Sequence, residues 1–279
     1  MFGPARRRYW KMHYLLPARN RVRPGKPISI SVGKVSFKVA PVEPMAAFLW
    51  PKPRLVTHQV RLLLRFLDPG QIFFDAGAGA GIFAIALAEG IGASSVYAFE
   101  PSLERFQLLR RNLDLNGLTE LHAMQTALAD HTGEASLLAD FRGVETSRIF
   151  GMHNSAESPR APITTLDAFI ESNAIRHVNA LRLGAGGAEL PVLQGSRNLL
   201  ARSDAPLVLC EAYCEKTGRF GYHPAEIMWF LNDCGYDLLV MDPKSGRIAP
   251  RKANGRYDAL IVAAKSSHAP RLISLGISL

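Results

Sequence analysis

Cysteine is scarce: the 279-residue chain has only Cys210, Cys214 and Cys234. An odd, low count excludes a disulfide framework. Cys210 and Cys214 could open a metal site, but no second Cys or His pair completes one, so free thiols and no metal are expected. Long hydrophobic runs are also lacking. No apolar stretch reaches the roughly 18 residues that a bilayer span needs. The first eleven residues carry Arg6, Arg7 and Arg8 without an apolar stretch, so no secretory signal is expected. A cytoplasmic location is the resulting expectation.

Acidic residues are absent from residues 1–38, which hold Arg6, Arg7, Arg8, Lys11, Arg19, Arg21, Arg23, Lys26, Lys34 and Lys38. Against a whole-chain net charge of +9, this leaves the body close to neutral. The positive charge is an N-terminal arm, fit to meet nucleic acid or another acidic surface. Tyr9, Trp10 and Tyr14 suggest some docking of the arm but form no stacking platform by themselves. A basic arm with a hairpin over 1–40 and a single body over 41–279 is the expected division.

What is present is a repeated alternation of short apolar runs and helical periods. Ile28 to Val39 alternates around Gly33 and predicts a hairpin. Val56 to Leu67 has helical spacing and stops at Asp68-Pro69-Gly70. Strands are then expected at Gln71–Phe74, Ser95–Phe99, Leu121–Ala127, Glu134–Leu138, around Leu181 and Leu183, and at Leu207–Ala212. Helices are expected at Ile82–Glu89, Leu103–Leu115, Leu190–Ala201 and Pro224–Cys234. Tyr236–Met241 and Tyr257–Ala263 form a closing strand pair. Such alternation gives an α/β fold with a mainly parallel sheet and helices on both faces. Phe141 to Pro162 shows little periodicity and is expected to be a substrate-facing loop or lid.

The strongest local signal is Phe74-Asp75-Ala76-Gly77-Ala78-Gly79-Ala80-Gly81. It follows an apolar strand and opens a helix, the context that makes a glycine-rich loop informative. Glycines let a ligand approach the backbone closely, and a helix start offers unpaired N–H groups. A dinucleotide could place its pyrophosphate there. The spacing G-A-G-A-G departs from G-x-G-x-x-G and favours S-adenosylmethionine, whose ammonium wants an acid such as Asp75 nearby. Glu100 ends the second strand, about 20 residues on, where an acid can accept from ribose hydroxyls. Ala127 and Asp130 follow the third strand, where Asp130 could accept from an adenine amino group.

These segments together resemble the FkbM-type methyltransferase family. The matching pieces are Asp75 to Gly81, Phe99-Glu100-Pro101, Asn112 to Asn116, Ala127 to Asp130 with Gly133, Thr165-Leu166-Asp167, Gly187-Ala188-Glu189 with Leu193-Gln194-Gly195, Glu211, and Gly235-Tyr236. The resemblance implies a Rossmann-like class I methyltransferase fold with a seven-stranded sheet, and S-adenosylmethionine as cofactor. The implied reaction is methyl transfer to a hydroxyl of a small metabolite such as a sugar or a polyketide-like compound. Two departures stand out. Gly79 replaces the family's usual Asn. Arg182-Leu183-Gly184-Ala185-Gly186-Gly187-Ala188-Glu189 stands where the family has a pattern like Lys-Ile-Asp-x-Glu-Gly-Ala-Glu, so Gly184 and Gly186 replace two carboxylates. A positioned general base contributes about 10²–10⁴ in rate. Glu211, His223 and Glu189 are the remaining catalytic candidates, and a weakened, cofactor-binding protein is the alternative. A nucleic-acid methyltransferase is a further alternative, lowered by the lack of an Asn-Pro-Pro-Tyr-type signature.

Overall fold

The computed structural model describes residues 28–32, 35–39, 53–139, 145–150, 160–252 and 257–278. The arm over 1–27 and the hairpin tip at Gly33 lie outside the described residues. Strands β1 (Ile28–Val32) and β2 (Val35–Val39) pair antiparallel, Ile28 opposite Val39. Helix α1 runs Pro53–Phe66, β3 Phe73–Ala76, α2 Ile82–Ile91, β4 Val96–Phe99, α3 Leu103–Asn116 and β5 His122–Met124. A small sheet follows from β6 (Ala127–Leu128), β7 (Gly133–Ala139), β8 (Glu145–Phe150) and β9 (Arg160–Thr164), in the order β6-β9-β7-β8. The chain continues through α4 (Leu166–Ser172), β10 (Ala180–Leu183), α5 (Glu189–Gln194), α6 (Arg197–Ala201), β11 (Leu207–Ala212), α7 (Cys214–Thr217) and α8 (Pro224–Asp233). It ends with β12 (Asp237–Met241), β13 (Ile248–Pro250), β14 (Ala259–Ala264) and α9 (Ala269–Ser274).

The main sheet has the order β13-β12-β14-β11-β10-β3-β4-β5. Strands β11, β10, β3, β4 and β5 are parallel, and β14, β12 and β13 are antiparallel additions. The sheet has eight strands, not seven, because β13 folds back onto β12 beyond the expected closing pair.

The central parallel strands β3, β10 and β11 are buried on both faces, so their side chains alternate between two cores. In β11, Leu207 and Leu209 join the core beneath α1, α2 and α3, while Val208 and Cys210 join the other. This double burial is why these strands read as continuous apolar runs. Helix α2, Ile-Phe-Ala-Ile-Ala-Leu-Ala, is buried almost throughout. Strand β2 packs against α2 and α3.

Several boundaries move. The strand expected at Gln71–Phe74 shifts to Phe73–Ala76, which puts Asp75 inside the sheet. The run Leu121–Ala127 splits between two sheets, since β5 joins the main sheet and β6 the small one. The helix expected over Leu190–Ala201 breaks at Gly195-Ser196. A side chain at Gly195 would strike the Ala129 carbonyl, and the Gly195 oxygen accepts from Asp167 N at 3.0 Å. The segment Phe141–Pro162 is not all loop, because residues 145–150 and 160–162 are strand.

Candidate active site

The parallel strands β3, β4 and β10 end at one edge, and a cleft opens there. It is lined by Gly77, Phe99, Glu100, Leu128, Gly184 and Val192, among others. Its first wall is the glycine loop. Gly77 has φ +80° and sits against β10, where a Cβ would lie 2.5 Å from the Gly184 oxygen. Gly79 has φ +56°, with open space where a Cβ would project. Gly81, with φ +86°, precedes α2 and faces Leu109 of α3. Close approach of backbone therefore demands glycine at 77, while the left-handed backbone favours it at all three positions and the Leu109 tip alone crowds 81. Asn112, a motif residue of α3, donates from Nδ2 to the Ala80 oxygen at 2.8 Å and ties the helix to the loop.

Glu100 is buried at the end of β4 and lines the cleft. Its Oε2 accepts from Gly79 N at 2.8 Å, and its Oε1 from Ser102 N at 3.0 Å. These two backbone donors fix the orientation of the carboxylate at the cleft wall. Ala127 lines the cleft beside Thr126 and Leu128. Asp130 is exposed, does not line the cleft, and lies 2.7 Å from His131 Nδ1.

Beside the glycine loop runs a chain of buried charges. Arg182 stands opposite Asp75 across the β10–β3 register. Its Nη1 donates to Asp75 Oδ1 at 2.8 Å and to the Gly77 oxygen at 3.3 Å, and its Nη2 donates to Glu211 Oε1 at 3.3 Å. The guanidinium lies 4.0 Å over the Phe83 ring. Lys216 of α7 donates to Glu211 Oε2. Burial pushes the Asp75 carboxyl up from its ordinary value, and Arg182 pulls it back only in part. The guanidinium also fills the space that a Cβ on Gly184 would enter. Arg182 and Lys216 were missed in the sequence. The available signal was a single charge in the buried strand Ala-Leu-Arg-Leu, which needs a partner.

The turn from Gly184 to Glu189 is held from behind. Tyr222 donates to the Gly187 oxygen at 2.7 Å and accepts from Leu190 N at 3.2 Å. Glu189 opens α5 and is fully buried. Its Oε1 accepts from Gly187 N at 3.3 Å, and its Oε2 has no hydrogen-bond partner among the described residues. Burial pushes its carboxyl up to about 7, opposed by Lys216. Neither Glu189 nor Glu211 lines the cleft. His223 sits apart at the start of α8. Its Nδ1 accepts from Ala225 N at 3.2 Å, while Glu226 returns a bond to His223 N, a capping box.

The methyltransferase FkbM domain profile matches residues 75–238, over half of the chain. The chain belongs to this methyltransferase family. Ribosomal protein L11 methyltransferase of Caldanaerobacter subterraneus subsp. tengcongensis is 37% identical over 92 residues, 31% of this chain and 26% of that protein. The protein of the same name from Carboxydothermus hydrogenoformans is 30% identical over 88 residues, 32% of this chain and 28% of that protein. The match thus spans about a quarter of the length of these curated relatives. A solved methyltransferase from Aquifex aeolicus resembles the chain at TM-score 0.42 and 14% identity, covering 76% of this chain and 91% of that one.

Within the FkbM domain, some motif residues are architectural here. Thr165 caps α4 by accepting from Ala168 N at 3.0 Å. Asp167 accepts from Asn198 N and Leu199 N, both at 2.9 Å, and holds the start of α6.

Proposed function

We propose that this FkbM-family protein binds S-adenosylmethionine in the cleft and transfers its methyl group to a hydroxyl of a small metabolite. The observation that carries the reading is Glu100, a buried carboxylate locked by Gly79 N and Ser102 N where it lines the cleft. A pre-oriented acceptor pair suits two adjacent ribose hydroxyls. Phe99, Leu128 and Val192 supply apolar surface for a base, and the open space beside Gly79 leaves the loop approachable. The residues present therefore fit the adenosyl half. Gly77, Gly79 and Ala127 belong to the proposed cradle, with Gly81 acting through the loop's backbone and the buried Asp75 through its ion pair with Arg182. Asp130, exposed, outside the cleft lining and paired with His131, is not assigned to the cofactor. When bound, the cofactor supplies an electrophilic methyl on a sulfonium.

Glu189, whose carboxyl burial pushes up to about 7, lies behind the Gly184–Glu189 turn and does not line the cleft, so it is a positioning residue that holds the turn through Gly187 N. Glu211, held by Arg182 and Lys216, is a positioning residue, and His223 is assigned to capping.

Calorimetric titration with S-adenosylmethionine and with NAD, side by side, tests the cofactor. Heat only with the first is expected, and silence with it ends the reading.

A second reading, a weakly catalytic binder, has one observation in its favour: the Arg182 guanidinium fills the space over Gly184, where the family carries a carboxylate. A lone Gly184→Asp would collide with it. The informative variant combines Arg182→Lys, Gly184→Asp and Gly186→Glu. Turnover that appears only in this triple variant identifies the natural chain as a binder.

A further inference from the structure

A second concavity lies at the other end of the sheet, between α1 and the β12–β13 hairpin. Its lining includes His58, Arg61 and Arg65 from α1 and Arg247 from the hairpin. The spacing 58, 61, 65 puts the three α1 residues on one helix face. Arg61, Arg65 and Arg247 are exposed. None of these arginines takes a carboxylate partner among the described residues, and no Asp or Glu lines the groove. This contrasts with Arg182, Arg197, Arg202, Arg219 and Arg271, each of which is ion-paired.

The groove is built, not incidental. The His58 ring lies against Gly246, which has φ +73° and leaves no room for a Cβ. Asp242 Oδ1 accepts from Lys244 N at 3.1 Å and from Ser245 N at 2.7 Å, fixing the hairpin turn that carries Arg247. The buried Leu62 and Met241 also line it, and residues 275–278 complete the lining.

We propose that this groove binds the phosphate backbone of a nucleic acid. Guanidinium forks match phosphate oxygens in geometry and charge. Phosphates neutralised by arginine release counterions, which drives association without base contacts. A bilayer surface fits less well. The groove is concave, and none of the large exposed apolar residues, Leu103, Trp229, Tyr257 and Ile273, lines it to anchor a membrane. The ten basic residues of 1–38 precede α1 in the chain and add charge of the same sign.

The test uses the full chain without cofactor, so its outcome is independent of methyl transfer. Fluorescence anisotropy with a labelled single-stranded RNA of roughly 20 nucleotides is read between about 50 and 200 mM salt. In the triple variant Arg61→Ala, Arg65→Ala, Arg247→Ala, the slope of log K against log salt should flatten by about 2, and affinity at the lowest salt should fall at least roughly tenfold. The triple Lys variant should retain most of the slope, which separates charge from misfolding. Unchanged binding in the Ala variant overturns the proposal. So does salt-sensitive binding to phosphatidylserine vesicles with none to RNA.

Discussion

The two sides of the cleft are built on opposite principles. On the β4 side a single acid, Glu100, is held by uncharged backbone donors and lines the cleft. On the β10 side the acids Asp75 and Glu211 are bound to Arg182, and the cleft wall there is formed by glycines, Gly184 and Gly186. Backbone donors orient a carboxylate that lines the cleft. A guanidinium neutralises the acids it binds and converts catalytic-looking acids into structure. Identical side-chain chemistry thus yields a binding group on one side and an internal brace on the other.

The largest effect should come from the brace. Arg182→Met leaves Asp75 and Glu211 buried without their shared cation, and urea unfolding should show a loss of about 3–5 kcal/mol. A loss under about 1 kcal/mol would mean that the carboxyls simply protonate when the cation is removed.

Glu189 sharpens the contrast through pH. Its folded value of about 7 lies above its ordinary value. The folded state therefore holds more protons than the unfolded one between about 4.5 and 7, and stability falls as pH rises through that window. Glu189→Gln should abolish this fall and gain up to about 3 kcal/mol relative to the native chain at pH 8. Parallel stability curves for the two proteins across the window would mean that burial does not raise the Glu189 carboxyl.

On the binding side, Glu100→Gln replaces one acceptor with a donor facing backbone N–H. S-adenosylmethionine affinity should drop roughly 10- to 100-fold, with a stability loss of only about 1–3 kcal/mol for the unpaired N–H. A larger loss instead would make Glu100 a brace like Asp75.

The smallest effects lie within the glycine loop. Gly77→Ala must push the β3 and β10 ends apart and should cost about 1–3 kcal/mol. Gly79→Asn enters open space at φ +56°, a conformation asparagine tolerates, and should shift stability by less than about 1 kcal/mol. Equal costs at the two positions would break the distinction between a packed and an unpacked glycine.

Much of the frame was legible because its signals are local. The run Leu207–Ala212 is strand along its whole length, and helix α2 starts at Ile82 as the loop motif implies. Boundaries failed where a partner outside the segment decided them. Gly195 ends α5 because Ala129 and Asp167 approach it from elsewhere in the chain. The run after α3 divides because its two halves find different sheets. Strand β13 went unseen, since three residues carry too little periodicity to mark an edge strand.

The sequence by itself determined the strand–glycine loop–helix unit, the acid at the end of β4 and the family to which these belong, because each depends on neighbours within a few residues. Tertiary structure decided what the other ionisable groups do. Arg182 finds Asp75 only through strand register and Glu211 only through the next strand. The free energy of a buried charge depends on which opposite charge reaches it, and folding brings together groups far apart in the chain.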